Sequence, residues 1–118
     1  MRSKMTTQQT NGSTADFLGK LSIFQDLTPE QLATLASIAE EYTFDRHSVI
    51  AYQRDVADSL YIVRDGRLFA TSVDENGVVR DSRSYFAGDY FDDRWLFVKE
   101  AHPATIKGGG NGRVIIIP

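Results

Sequence analysis

Residues 53 to 66 read QRDVADSLYIVRDG, and this segment is the most informative one about the fold. Residues 60–63 form an apolar, β-prone run that is soon followed by the dipeptide Asp65-Gly66. Two-residue hairpin turns prefer this dipeptide, because glycine reaches positive φ without a side-chain clash. The stretch therefore predicts a strand, a tight hairpin turn and a second strand that begins at Leu68.

Other segments of the chain repeat this pattern of a short β-prone run bounded by turn residues. They are residues 42–44, 49–52, 68–73, 78–80, 104–106 and 114–117. Asn76-Gly77 marks a second hairpin turn between two of these runs. Many short strands at close spacing predict a rolled or barrel-like antiparallel sheet.

Two helices are predicted ahead of these strands. The first is short and follows from the apolar spacing of Phe17, Leu18 and Leu21. The second begins at Thr28, where Pro29 suits the first helical position and Gln31 completes a capping box. Its apolar face runs in three- and four-residue steps through Leu32, Leu35, Ala36 and Ala39. This helix is predicted to end near Glu41.

The two ends of the chain differ in composition. Residues 1–14 are polar with few large apolar groups, so they cannot offset the entropy lost on ordering. We predict a flexible leader over residues 1–15 and one domain over residues 16–118. The chain stops on the apolar run 114–117, and an exposed apolar edge strand invites aggregation. We therefore predict a fragment whose parent protein continues beyond residue 118.

The composition excludes several classes of function. The chain has 118 residues, enough for one domain, and its lack of cysteine excludes disulfides, thiolate nucleophiles and cysteine-ligated zinc. A net charge of −3 gives no electrostatic reason to expect nucleic acid as a partner. No apolar run approaches the roughly 20 residues that span a bilayer. We predict no direct nucleic-acid binding and no membrane insertion by this segment, and a cytoplasmic location.

The stretch from residue 107 to residue 113 reads KGGGNGR and invites comparison with a phosphate-binding loop. Such a loop needs a Gly-Lys-Ser/Thr end and a following helix, and the sequence has neither. We predict a mobile loop or a frayed hairpin instead.

The order of residue types in residues 53–66 resembles the central hairpin of cyclic-nucleotide-binding domains. These domains occur in bacterial catabolite-activator-type regulators and in regulatory subunits of cyclic-AMP-dependent protein kinase. Residues 24–32 (FQDLTPEQL) resemble the family's first helix, and residues 88–91 (GDYF) with 104–106 (ATI) resemble the segment that cradles the phosphate. The resemblance covers residues 17–117. It implies a mainly β fold with flanking helices, an antiparallel β-roll of the jelly-roll-like, double-stranded β-helix type.

The resemblance also implies partners and a ligand. The family continues into C-terminal helices that cover the pocket or form a homodimer, and these would lie beyond residue 118. The partners implied are therefore other domains of a parent protein, and a second copy through those helices. The ligand implied is cyclic AMP or cyclic GMP.

The family holds the cyclic phosphate with a Phe-Gly-Glu triplet at a helix start and an arginine about eight residues later. Backbone N–H groups at the helix start bind the phosphate, the arginine adds a charge-assisted bond, and the glutamate accepts from the ribose 2′-hydroxyl. This chain has Phe91-Asp92-Asp93 and then His102-Pro103-Ala104 at the matching spacing. By resemblance, these residues form the candidate cassette.

The chemistry of this cassette departs from the family pattern at several positions. Asp92 replaces glycine and adds both a side chain and a negative charge near an anionic ligand. Asp93 keeps a carboxylate that is one methylene shorter. His102 replaces the arginine and lacks its fork of donors, and Pro103 has no backbone N–H. Trp95 stands where the family has a small residue, and it is predicted to fill the pocket.

Two turn positions that are usually glycine in the family carry His47 and Arg54 here. Together with the cassette changes, they predict that binding of cyclic AMP or cyclic GMP is weak or lost. Arg94 either supplies the missing positive charge from a new direction or is a solvated surface arginine.

Other functional interpretations compete with simpler structural ones. Asp92 and Asp93 form an acid–base or metal pair, or they are surface carboxylates favoured by a helix start. His47 and His102 form a metal-binding or pH-sensing pair, or they are unrelated. Three aromatic side chains stack on a base or pack with one another in the core: Phe91, Trp95 and Phe97.

These patterns predict a non-enzymatic regulatory or sensing domain of a larger protein, with a pocket impaired for cyclic AMP and cyclic GMP. The alternative is a working sensor domain of a transcription regulator, in which Asp93, Arg94 and the backbone around Trp95 bind an atypical cyclic nucleotide. No nucleophile elbow and no Ser/His/Asp set supports an enzyme.

Overall fold

The computed structural model describes residues 6–8, 12–91 and 100–118. Two helices precede a set of short strands. The elements in chain order are β1 (Thr6–Gln8), α1 (Gly12–Gly19), a 3₁₀ turn (Ser22–Phe24), α2 (Pro29–Ile38), β2 (Glu40–Phe44), β3 (Val49–Ala51), β4 (Val56–Ala57), β5 (Leu60–Asp65), β6 (Arg67–Val73), β7 (Val79–Phe86), β8 (Tyr90–Phe91), β9 (Glu100–Ala101), β10 (Thr105–Gly108) and β11 (Gly112–Ile117).

The strands form two main sheets and one small ribbon. The five-stranded sheet has the order β1-β2-β11-β5-β8, the four-stranded sheet has the order β3-β10-β6-β7, and β4 pairs with β9. Every pairing is antiparallel. The predicted mainly β, antiparallel roll with flanking helices is confirmed.

Strands β5 and β11 are buried on both faces, which explains their continuous apolar runs. Successive side chains of a strand point to opposite faces. Tyr61 and Val63 of β5 join the core between the two sheets, whereas Leu60 and Ile62 join a second cluster beneath helices α1 and α2. Because β11 lies between β2 and β5, the run 114–117 is not an exposed edge. The predicted continuation beyond residue 118 therefore loses the support of an exposed apolar edge, and it stays a prediction.

The predicted hairpin turn at Asp65-Gly66 is instead a corner between the two sheets. Strand β5 belongs to the five-stranded sheet and β6 to the four-stranded sheet, and they do not pair with each other. Strands β10 and β11 turn the same corner beside them, with Leu68 opposite Gly108 and Asp65 opposite Arg113. Gly66 has φ +83°, and a Cβ there would lie 2.6 Å from the Asn111 carbonyl oxygen. Both kinds of bend require positive φ, so the dipeptide alone does not distinguish them.

The glycine-rich segment 107–113 corrects a second prediction. It is not a frayed hairpin, because its two ends belong to β10 and β11, which lie in different sheets. The Gly109 N–H donates to the Arg67 carbonyl at 2.7 Å. Gly108 is buried, and a Cβ there would collide with the backbone of Asp45. These glycines let backbones pack closely where the chain changes sheets.

The Asn76-Gly77 turn is confirmed as a hairpin, although its loop is longer than two residues. Val73 of β6 pairs with Val79 of β7, so five residues connect the strands. The Asp74 carboxylate accepts from the backbone N–H groups of Asn76 and Val78, at 2.9 Å each. This side chain closes the loop as an Asx-turn does.

Helix α2 has the predicted capping box. The Thr28 hydroxyl accepts from the Gln31 N–H at 3.2 Å, and the Gln31 side chain accepts from the Thr28 N–H at 2.9 Å. The helix ends at Ile38 rather than near Glu41, because Glu40 and Glu41 pair with β11 as part of β2. Tertiary pairing therefore overrides helix propensity at this boundary.

Helix α1 begins at Gly12, four residues ahead of the predicted domain start at Asp16. The Arg64 guanidinium of β5 donates to the Ser13 and Thr14 hydroxyls and to the Glu41 carboxylate. This network holds the first turn of α1 against the sheet. The flexibility of the leader and the extent of the parent protein stay predictions. Within the described residues, no helix has the length and apolar character that crossing a bilayer requires.

Candidate functional site

A cavity of about 320 Å³ lies beside strands β7 and β8, which are the edge strands of the two main sheets as described. Side chains from β6, β7, β8, β10 and the segment before β10 line it. They are Ala70, Ser72, Arg83, Tyr85, Phe91, His102, Pro103, Ala104 and Ile106. The wall is mostly apolar with a few polar groups, as small-ligand sites usually are. Four of these residues belong to the candidate cassette.

Phe91 forms part of an aromatic wall. Its ring stacks on Tyr61, with centroids 4.7 Å apart and planes at 7°, and it lies 5.0 Å from the Tyr85 ring. Aromatic pairs at these distances contribute about 0.5–1.5 kcal/mol beyond their buried area. Phe91 therefore packs in the core, as the simpler interpretation has it.

His102 is buried, with 5% of its surface exposed. Its ring meets the Tyr61 ring edge-on at 5.8 Å. The backbone N–H of His102 donates to the Asp55 carbonyl at 2.7 Å, and the His102 carbonyl accepts from the backbone N–H of Arg54 at 2.9 Å. The resemblance assigns a phosphate-binding arginine to this position, and the structure has a buried imidazole in the cavity wall.

Pro103 and Ala104 continue the wall toward β10. Pro103 lines the cavity and has no N–H to offer a ligand. Ala104 is buried in the core between the sheets. The cassette segment that the structure describes therefore offers fewer donors than the family pattern does.

Arg54 has φ +76°, and it is the only non-glycine residue with positive φ within residues 6–8, 12–91 and 100–118. Glycine is favoured in this left-handed region because it has no Cβ. Neighbouring contacts hold the loop: the Gln53 N–H donates to the Thr105 hydroxyl at 3.0 Å, and the Arg54 N–H donates to His102. Arg54 therefore has a strained backbone conformation at a position that is usually glycine in the family.

His47 differs from Arg54 in its backbone angle. It is exposed, it does not have positive φ, and its N–H donates to the Asp45 carboxylate at 2.7 Å. His47 lies in an exposed turn while His102 lies in the cavity wall, which supports the interpretation that the two are unrelated. No group of three or more potential metal ligands is present among the side chains that the structure describes.

Four predicted site residues lie outside the described residues. They are Asp92, Asp93, Arg94 and Trp95. The paired carboxylates, the replacement charge on Arg94 and the pocket-filling indole therefore stay predictions, as does any role of Phe97.

Sequence reasoning missed Arg83, the one arginine or lysine that lines the cavity in the described part of the chain. Its guanidinium carbon lies 4.8 Å from the centroid of the Tyr85 ring. The predicted strand ended at residue 80, whereas β7 continues to Phe86. Extending the strand would have placed Arg83 and Tyr85 on one face, because residues two apart share a face.

The chain belongs to the cyclic nucleotide-binding domain family, whose sequence pattern matches residues 41–118. This match confirms the resemblance drawn from residues 53–66. Over 92 residues, the chain is 27% identical to the cGMP-dependent protein kinase egl-4 of Caenorhabditis briggsae. That alignment covers 77% of this chain and 12% of the kinase, so the chain spans about an eighth of its relative's length.

Two solved structures show the same fold. One is the regulatory domain of Toxoplasma gondii PKA in a co-crystal with cAMP, with a TM-score of 0.81 and 24% identity over 89% of this chain and 41% of that one. The other is the regulatory subunit of a cAMP-independent protein kinase A from Trypanosoma brucei. Its TM-score is 0.78, with 17% identity over 86% of this chain and 38% of that one.

Proposed function

We propose that this chain is a non-enzymatic regulatory domain that keeps the β-roll but has lost ordinary recognition of cyclic AMP and cyclic GMP. The observation that carries this proposal is His102, a buried imidazole at the position where the family pattern has an arginine. A guanidinium presents a planar fork of donors that matches phosphate oxygens, and an imidazole presents no such fork. Pro103 removes a backbone donor from the same segment.

The size of the expected loss follows from these two changes. A hydrogen bond to a charged group contributes about 1.5–3 kcal/mol, which corresponds to roughly ten- to a hundredfold in affinity. A cyclic phosphate also retains its negative charge, so placing it in a mostly apolar cavity with no guanidinium at the family's arginine position is costly. Asp92 would add a repelling charge at the next position of the cassette.

The fold alone does not decide the ligand. One neighbour with this fold is described with bound cAMP and another as cAMP-independent, yet their TM-scores to this chain are nearly equal. Function depends on the residues of the site rather than on the roll that carries them. The residues of the cavity, rather than the fold, therefore decide which ligand such a domain binds.

Within a larger protein, such a domain acts on other domains of its parent. We propose that this action uses contact surfaces of the roll, and that helices beyond residue 118 provide a homodimer contact. A domain whose output is contact keeps its core under selection while its ligand cassette is free to change.

A second candidate is a working cyclic-nucleotide sensor, of the kind found in transcription regulators and kinases. The cavity favours it, because about 320 Å³ of space remains beside an arginine, Arg83. The relative from C. briggsae is named as a cGMP-dependent kinase, which makes cyclic GMP the first ligand to test.

Calorimetric titration with cyclic AMP and cyclic GMP separates the two candidates. The wild-type chain is expected to stay silent up to millimolar ligand, and an Asp92→Gly, His102→Arg double variant to gain binding. His47→Arg is the matched control, because it adds the same charge in an exposed turn outside the cavity. Micromolar binding by the wild type would contradict the proposal and favour the sensor. Silence of the double variant would contradict the assignment of the loss to these two residues.

A further inference from the structure

Arg83 has no described carboxylate partner, in contrast to three other arginines of the sheets. Arg64 pairs with Glu41, Arg113 with Asp65, and Arg80 with Asp74. Among the described side chains, no carboxylate lies within ion-pairing distance of Arg83. Its contact is with the face of the Tyr85 ring, at 4.8 Å. The cavity therefore carries a positive charge at its wall that no described carboxylate balances.

The orientation of a guanidinium over a ring bears on what it binds. A guanidinium stacked on an aromatic face keeps its N–H groups in its own plane, where they remain available to an acceptor. Two parallel N–H groups match the two oxygens of a carboxylate. The Ser72 hydroxyl, on the neighbouring strand β6, is a further donor in the same wall.

The rest of the wall is suited to an apolar, flat molecule. Tyr85, Phe91, Ala104 and Ile106 contribute apolar surface, and the Phe91 ring is fixed by its stacking on Tyr61. A volume of about 320 Å³ lies at the lower end of the range for small-molecule pockets. One or two fused rings fill such a space.

We propose that the cavity binds a small planar aromatic carboxylate, with the carboxylate on Arg83 and the ring against the apolar wall that Tyr85, Phe91 and Ile106 form. This inference rests on the proposed function and deepens it, because it names a ligand class for the cavity that cyclic nucleotides no longer use. A carboxylate needs one guanidinium. A cyclic phosphate held in the family's manner also needs the backbone donors of the cassette, and Pro103 supplies none.

NMR titration of the labelled chain tests this proposal with indole-3-carboxylate and its neutral analogue indole-3-carboxamide as probes. The carboxylate is expected to shift the resonances of cavity residues and to bind at least about tenfold more tightly than the carboxamide, because only the carboxylate forms charge-assisted bonds. Equal binding of the two probes, or no shift of cavity residues at millimolar carboxylate, would overturn the proposal.

Variants of β7 separate the role of Arg83 from a general effect of charge. Arg83→Gln is expected to lower the affinity for the carboxylate about tenfold or more, and Arg83→Lys to lower it less, because lysine keeps the charge without the fork. Arg80→Gln is the matched control on the same strand, since Arg80 pairs with Asp74 and does not line the cavity. An unchanged affinity of Arg83→Gln for the carboxylate would contradict the proposal.

Cyclic AMP and cyclic GMP, titrated on the same proteins, keep this inference distinct from the proposed function. Micromolar cyclic-nucleotide binding by the wild type contradicts the proposed function. Carboxylate binding that does not depend on Arg83 contradicts only the inference.

Discussion

The two sides of strand β5 differ in whether the charged side chains nearby have carboxylate and hydroxyl partners. On the helix side, Arg64 meets a carboxylate and two hydroxyls, and the side chains of Arg64 and Glu41 are only 12% and 5% exposed. On the cavity side, Arg83 has a ring for a partner and Arg54 holds an unfavourable backbone angle. Strain and unbalanced charge gather where a ligand or partner would supply compensation. The comparison therefore separates the face that holds the fold from the face for which we propose a ligand or partner.

The largest expected effect tests the helix side. Glu41→Ala leaves the Arg64 guanidinium buried without its carboxylate, and breaking a buried pair in this way costs about 3–5 kcal/mol. Urea denaturation measures it as a lower midpoint with an unchanged slope. A loss below about 1 kcal/mol would show that Arg64 reaches water and that the two faces do not differ as described.

The aromatic wall of the cavity is expected to give a smaller effect. Phe91→Leu keeps an apolar side chain but loses the stacking on Tyr61, so a destabilisation of about 1–2 kcal/mol is expected. Phe86→Leu is the control, because Phe86 is exposed at the end of β7 and its replacement is expected to change little. Equal shifts of the thermal midpoint in both variants would argue against a packed wall.

The sequence predicts the helix-side face better than the cavity face, for a physical reason. Continuous apolar runs such as 60–63 and 114–117 report burial on both faces, and the capping box at Thr28 is a local interaction. Strands β4, β8 and β9 have two residues each, and their pairing depends on partners distant in the chain. No local pattern signals such strands.

The candidate site was predictable only in part. Resemblance placed Phe91, His102, Pro103 and Ala104 in one site, and the cavity brings these four together. Arg83 was missed because β7 is polar along its middle, so the predicted strand ended before it. The bend at Gly66 was located correctly but given the wrong role, since a corner and a hairpin turn need the same backbone angle.

The strained loop beside the cavity should respond in the opposite direction from the packed wall. Arg54→Gly is expected to stabilise the chain by about 1 kcal/mol. The left-handed conformation costs an ordinary residue about 1–2 kcal/mol, and glycine adopts it without this strain. Part of the gain is offset because glycine loses more conformational entropy on folding. His47→Gly is the matched control at the other family glycine position. Since His47 lacks positive φ, glycine there gains nothing and loses chain entropy. The thermal midpoint of both variants is measured by calorimetry. A higher midpoint in both would contradict the assignment of strain to Arg54 alone.

The smallest effect is expected at the sheet corner, which belongs to neither face. Arg113 donates to the Asp65 carboxylate from Nε at 2.8 Å, and this bond raises the pKa of the Arg113 guanidinium above its ordinary value. The side chains of Arg113 and Asp65 are, however, 39% and 45% exposed. Solvent screening limits an exposed pair to about 0–1 kcal/mol, so Asp65→Asn should lower the urea midpoint slightly, and less in high salt. A loss as large as that of Glu41→Ala would mean that the corner, rather than burial beneath the helices, dominates the electrostatic contribution to stability.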